Sequence, residues 1–265
     1  MIYLKTDEEI ELLREANLLV SKTLAEIAKV IEPGVTTNKL DLLAETFIRD
    51  HGAIPTFKGF PNPNGTPFPA SICASVNDQV VHGIPNDVEL RDGDIVSIDC
   101  GTLLNGYCGD SCYTFAVGEI TDEVKYLLDV TKQSLYLGIE QAIVGKRIGD
   151  ISYAVQNHCE SNGFGVVREF VGHGIGKDMH EDPQVPNYGK RGNGILLKNG
   201  LCIAIEPMIT MGKKDIYLQN DGWGVVTRDH LPAAHFEHTV CVRKGKADIL
   251  SSFEEIEKIL QDKSI

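Results

Sequence analysis

No C-x-x-C pair occurs in this chain of 265 residues, although it carries seven cysteines, Cys73, Cys100, Cys108, Cys112, Cys159, Cys202 and Cys241. An odd number without that spacing argues against a disulfide framework or a thiolate zinc site, and suits a reducing compartment. Cys108 and Cys112 have ligand-like spacing, but cysteines in strand patterns read better as small core residues. Positive charge is also in deficit: 25 lysines and arginines against 38 acids leave a formal net charge of −13. That argues against general binding to nucleic acid or to anionic membranes. The small basic clusters Lys146-Arg147, Lys190-Arg191 and Lys213-Lys214 read as solvated loop ends, with a local ribosome contact as the alternative. No apolar run is long enough to span a bilayer, and the opening residues, Met-Ile-Tyr-Leu-Lys-Thr-Asp-Glu-Glu, lack the pattern of a signal peptide. A cytoplasmic protein without membrane partners is expected.

What is present is an ordinary globular composition, 42% hydrophobic and 24% charged, with length enough for one large core or two tight halves. Thr6 and Glu9 form the signature of a capping box. The helix they open repeats apolar residues at Ile10, Leu13, Ala16, Leu19, Val20, Leu24, Ile27 and Ile31, and Pro33-Gly34 stops it. A second helix is expected over residues 38–51. A loop over residues 55–69 follows, with five prolines and with Phe57, Phe60 and Phe68. So many large apolar side chains in a surface loop point to a cover over an apolar pocket. Two more helices are expected over 124–143, stopping at Gly145, and over 149–161, ending at Gly163.

The stretch 95–110 is the centre of the chain. Residues 95–98 read as a buried strand that delivers Asp99 at its end. Gly101, Asn105 and Gly106 supply turn chemistry, and Asp110 precedes an apolar, β-rich run over 111–117. Two acids eleven residues apart on the arms of a hairpin can stand side by side. Like charges that close need a shared proton, a basic partner or a metal.

The pattern then recurs. Gly34 and Gly145 are 111 residues apart, and so are Gly52 and Gly163. The run from Arg91 to Asp99 aligns with that from Lys198 to Glu206 at an offset of 107. Asp110 and Gly118 align with Glu237 and Gly245 at 127, and His82-Gly-Ile with His173-Gly-Ile at 91. Matches in sequence order, each carrying a polar residue, imply an internal duplication. We therefore expect an α+β fold in a single catalytic domain, 1–265, built of halves at about 1–118 and 119–265.

Duplication doubles the acids to Asp99, Asp110, Glu206 and Glu237. Residues two apart on a strand share a face, and the acids' same-face neighbours Ser97, Cys112, Ala204 and Thr239 are small. The other faces are bulky: Val96, Ile98, Tyr113, Phe115, Ile203, Ile205, Val240 and Val242. Four carboxylates would thus share one space, with no lysine or arginine in those segments. Unpaired, each would cost several kcal/mol. Two divalent cations would balance the charge. His173, in Val-Gly-His-Gly-Ile-Gly, adds a nitrogen ligand; an oxygen-rich set with one imidazole suits Mn, Fe(II) or Co at least as well as Zn. His82 and His180 fall outside helix and strand patterns and flank the same space, where neutral imidazoles could hold a substrate amide and a developing oxyanion.

Asp99, Asp110, His173, Glu206 and Glu237, together with His82-Gly-Ile-Pro and Gly-His-Gly-Ile-Gly, resemble the methionine aminopeptidases of the wider pita-bread peptidase family, over nearly the whole chain. Glu206 and Glu237 are 31 residues apart, without the long helical insertion of type II enzymes, so the likeness is to the short bacterial type I form. The resemblance implies two pseudo-symmetric halves with a central curved antiparallel sheet and helices outside. It implies that Asp110 and Glu237 bridge two metal ions, that Asp99 binds one, and that His173 and Glu206 bind the other. A metal-bridged hydroxide would attack the first peptide bond of a nascent protein starting with methionine, preferably before a small second residue. Glu206 would shuttle protons, His180 would steady the carbonyl and intermediate, and His82 would contact the amide nitrogen. The methionine pocket would use Phe60, Phe68, Cys73, Met179 and Trp223, although the 61–67 segment is longer than usual and Met179 stands where relatives carry Phe. A monomer is expected. The alternatives are a sibling acting on X-Pro bonds and a catalytically dead binding protein on the same fold.

Overall fold

Thr6 caps the first helix as its sequence implies: its hydroxyl accepts from the Glu9 amide, and the Glu9 carboxylate accepts from the Thr6 amide. The computed structural model describes residues 2–62 and 65–263. Helix α1 (Asp7–Val30) buries the expected stripe from Ile10 to Ile27, and α2 (Thr37–Asp50), capped by Thr36, packs beside it. Strands β1 (Ile54–Pro55), β2 (Ile72–Val76), β3 (Gln79–Val81), β4 (Ile95–Leu104) and β5 (Tyr107–Ala116) complete the first part of the chain. A second helix pair follows, α3 (Asp122–Glu140) and α4 (Ile148–Ser161). Then come β6 (Gly165–Val166), β7 (Gly172–Gly174), β8 (Glu181–Val185), β9 (Cys202–Ile205), β10 (Met208–Thr210), β11 (Ile216–Leu218) and β12 (Val225–Thr227). The chain closes with β13 (Ala233–His235), β14 (Glu237–Cys241), β15 (Asp248–Ile249) and α5 (Glu254–Lys263).

The class is α+β. A nine-stranded sheet runs β1-β4-β5-β14-β9-β7-β8, with β2 added on β4 and β15 on β14. Its pairings are antiparallel. Two three-stranded sheets, β13-β10-β6 and β11-β12-β3, flank it. The bulky face of the large sheet, with Val96, Ile98, Phe115, Ile203, Ile205 and Val240, is buried in one core with the apolar stripes of the first four helices. All seven cysteines are buried free thiols, six of them in strands. Among the described residues, no helix is long and apolar enough to cross a membrane.

The structure corrects several boundaries. Asp99 does not end a strand: β4 continues five residues past it, to Leu104. Gly101 is not a turn residue. A Cβ there would lie 2.3 Å from Thr56 Oγ1 and 2.6 Å from Met179 Cε, so the glycine permits a close approach inside the strand. The turn is Asn105-Gly106 alone, both with positive φ (51° and 80°), the pair that suits a two-residue hairpin. Asp110 accordingly lies inside β5 instead of ahead of it. Helix α3 runs 122–140 instead of 124–143, because Thr121 caps it early and Ile143 is drawn into a bridge with Arg243. In the proline-rich loop, Pro63 and Asn64 of the 61–67 segment lie outside the described residues.

Candidate metal centre and active site

The hairpin register places the first two acids. Asp99 stands opposite Cys112 and Asp110 opposite Gly101, so the acids are diagonal neighbours on one face. Cys112 also pairs with Glu237 across the β5–β14 seam. A small thiol therefore sits between two carboxylates. Main-chain positions here are held from several sides: Asn17 on α1 accepts from the Asp110 amide, the Thr239 hydroxyl donates to the Asp110 carbonyl, and Ser111 donates to the Glu237 carbonyl. His173 is the middle residue of β7, and Glu206 directly follows β9, its carbonyl accepting from the Asn187 side chain, Nδ2.

These side chains converge. His173 Nε2 lies 3.6 Å from both Asp110 Oδ2 and Glu206 Oε1, beyond hydrogen-bond reach of either. Its Nδ1 donates to the Gly174 carbonyl at 2.8 Å, which fixes the ring orientation and leaves Nε2 facing the acids. Ligand atoms of Asp110, His173 and Glu237 lie within 4.8 Å of one another. Asp99 Oδ1, Asp110 Oδ1 and Glu237 Oε1 are buried without a hydrogen-bond partner. Orphaned carboxylate oxygens are costly unless something satisfies them.

Electrostatics agree. Burial, then mutual repulsion, pushes Asp99 and Glu237 well above the usual carboxylate range, and Asp110 is raised by burial against the pull of His173. Burial opposes charge on His173, but Asp110 and Glu206 outweigh it and take the imidazole up to about 9. A divalent cation among these groups would displace that proton and favour ionised carboxylates. The donor set, four carboxylates and one correctly oriented imidazole, fits a divalent metal. His82 and His180 differ: burial is the main cause that lowers each to about 4, so both are neutral at pH 7. The His180 ring is 4.4 Å from His173 and 5.3 Å from Phe60; the His82 ring is 5.3 Å from Phe170.

All of these groups open onto a cavity of about 670 Å³. Asp99, Asp110, His173, Glu206, Glu237, His82 and His180 line it, together with Phe60, Phe68, Cys73 and Trp223. Met179 does not. It packs with Ile10, Leu13, Tyr107 and Ile175 beneath α1, while its neighbour His180 takes the cavity side. Phe57, named with the proline-rich loop, is on the wall as well, and Phe170, Met208 and His235 stand there without having been singled out in the sequence. His235 had a signal: it precedes Glu237 by two residues, the spacing that shares a strand face. Its Nε2 is 3.6 Å from Glu206 Oε2 and is buried without a partner.

Comparison with known proteins adds an independent finding. A family model described as metallopeptidase family M24 matches residues 11–244. The methionine aminopeptidase of Clostridium acetobutylicum is 50% identical over 255 residues, covering 96% of this chain and 100% of its own. Methionine aminopeptidase 1 of Bacillus subtilis is 50% identical over 251 residues, covering 95% and 99%. The crystal structure of methionine aminopeptidase from Rickettsia prowazekii superposes with a TM-score of 0.91 at 42% identity, over 95% of this chain and 100% of that one.

Proposed function

The chain belongs to metallopeptidase family M24, and from that premise we propose that it removes initiator methionine from nascent polypeptides with a pair of divalent metal ions. The observation that carries this reading is the convergence of Asp99, Asp110, His173, Glu206 and Glu237 on one buried space, with three carboxylate oxygens left unpartnered. Asp110 and Glu237 would lie between the two ions; Asp99 would hold one, and His173 with Glu206 the other. Two dications would offset the four carboxylate charges. An oxygen-rich set with one imidazole favours Mn, Fe(II) or Co at least as well as Zn. When bound, the metal supplies Lewis acidity, polarising the scissile carbonyl and bringing the ionisation of water towards neutral pH.

The chain's own residues do the rest. Glu206 takes the proton from water and returns it to the leaving amine. His180, kept neutral by burial, donates to the scissile carbonyl oxygen and to the tetrahedral oxyanion. His82, also neutral, faces the substrate's amide nitrogen. Phe60, Phe68, Cys73 and Trp223 receive the methionine side chain on an apolar wall that also includes Phe57. Phe170 and Met208 narrow the wall beside His82 and favour a small second residue. The enzyme would work as a monomer where nascent chains emerge in the cytoplasm. Its single domain reads as two copied halves, about 1–118 and 119–265; the recurring order of a helix pair followed by acid-bearing strands supports this.

The test is release of methionine from Met-Ala-Ser by the purified protein, with and without chelator, and with Mn, Fe(II), Co or Zn restored singly. An X-Pro dipeptide runs beside it. Metal-dependent cleavage of Met-Ala-Ser is expected. Cleavage of the X-Pro substrate alone would move the activity to the sibling class, and no cleavage with any of the metals would leave a binding protein.

A further inference from the structure

The residues ahead of α1 do more than lead into it. Lys5 donates its amide to the Gly200 carbonyl at 2.7 Å, which pins this arm to the turn before β9. Its side chain then crosses Gly176, where a Cβ would meet Glu181 Oε1 at 2.2 Å and Lys5 Cε at 2.6 Å. Lys5 Nζ ends in an ion pair with Glu181 Oε2 and also donates to the Tyr3 carbonyl. The Lys5 side chain is 5% exposed and that of Glu181 8%, which is rare for a lysine and marks a buried pair.

Glu181 uses both oxygens. While Oε2 takes the lysine, Oε1 accepts from the Lys177 amide at 3.1 Å. The carboxylate thereby closes the bend 177–181 on itself, and His180 is the residue just before it. The other end of the bend is tied to β5: the Cys108 amide donates to the Gly176 carbonyl, and the Cys108 thiol to the Lys177 carbonyl. His180 is thus carried on a short irregular segment fixed at one end to the strand that bears Asp110, and at the other to Lys5 and to the start of β8, where Glu181 pairs with Gly174.

The geometry points to Lys5 as a positioning residue for His180, acting through Glu181. This rests on the role given to His180 above. Four residues, 177–180, outside any helix or strand ladder have few ways to hold an imidazole to a fraction of an ångström, and misplacing a catalytic group by about 1 Å costs on the order of 100-fold in rate. The buried cation does this by removing the freedom of the carboxylate that closes the bend. The role concerns turnover more than substrate capture, because the apolar wall from Phe60 to Trp223 is built from other segments.

The experiment is a double-mutant cycle of K5M and H180A on the metal-loaded enzyme with Met-Ala-Ser. It is read together with hydrogen exchange at the Lys177 amide, which depends on neither activity nor metal. K5M is expected to lower kcat roughly 10- to 100-fold, with KM within about threefold, and to speed exchange at Lys177. K5R, which keeps the charge, recovers most of kcat. In the H180A background K5M has no further effect. Wild-type kcat in K5M beside a crippled H180A overturns the role of Lys5 alone, as does a K5M loss that multiplies that of H180A. Wild-type turnover in H180A overturns the reading of His180 itself. Should K5M fail to fold, E181Q carries the same cycle with the same expected pattern, and full multiplicativity with H180A there overturns the proposal.

Discussion

Asp110 shows what a single atom contributes here. Its Oδ2 faces His173, while its Oδ1 is buried with no partner. Asp110→Asn replaces one oxygen with an amide nitrogen, which is a poor ligand for a cation, and removes the charge. Turnover is expected to fall by more than roughly 100-fold, beyond the usual cost of losing a supporting partner of a metal ligand. Metal content measured after dialysis should fall with it, and full activity in this variant would remove Asp110 from the centre. The acid positions could be read from sequence because they recur at matched offsets beside small residues, a pattern that survives any error in strand ends. Met179 could not. Periodicity has no hold on a bend, and the neighbours Met179 and His180 face opposite ways. His235 carries a two-residue spacing from Glu237 that the sequence shows, although it ends β13, in a different sheet from β14; both side chains still reach the cavity.

At the scale of elements, glycine is where sequence reading misled. A glycine between apolar residues signals either a turn or a close approach, and only the neighbouring elements decide which. For Gly101 the neighbours are Thr56 and Met179, which come from loops distant in sequence. Gly101→Val is therefore expected to destabilise the fold by about 1–3 kcal/mol and to lower metal affinity, because it pushes directly on the strand between Asp99 and Asp110; unchanged urea denaturation would refute the crowding. Helix caps were more legible, since a capping box is wholly local. Glu9 accepts from the Thr6 amide and from the Tyr107 hydroxyl, and these hydrogen bonds, the backbone one first, hold its carboxyl below the ordinary range. The sign follows: an acid with a lowered folded pKa stabilises above its unfolded pKa, and that contribution fades as pH falls through the folded value. Glu9→Gln keeps the acceptor of the box but loses the charge at the helix N-terminus, and should cost about 0.3–1 kcal/mol near neutrality. The gap to the wild type should shrink below about pH 4, and a gap independent of pH would show that charge plays no part.

For the molecule as a whole, the decisive place is the seam between β5 and β14. It is registered by only Glu237 with Cys112 and His238 with Ser111, whereas β4 and β5 pair along their full length. Asp99 and Asp110 stand on one side of that seam, and His173, Glu206 and Glu237 on the other. An ion held by both sets would join what the ladder joins only briefly. It would also relieve the repulsion that raises the carboxylates in its absence. This architecture could be anticipated only in part: the α+β class and the meeting of the acids follow from patterning. The brevity of the seam does not, because pairing between strands more than a hundred residues apart leaves no local trace. Free metal at 100 times its dissociation constant would add about 2.7 kcal/mol to the folded state. For a chain of this size that is roughly 5–10 °C in Tm. Chelation is accordingly expected to lower the melting temperature of the wild type by that amount and to leave Asp110→Asn nearly unmoved. Equal melting of the wild type with and without chelator would mean that no ion spans the seam, and the reading of the four acids as a metal cage would fall with it.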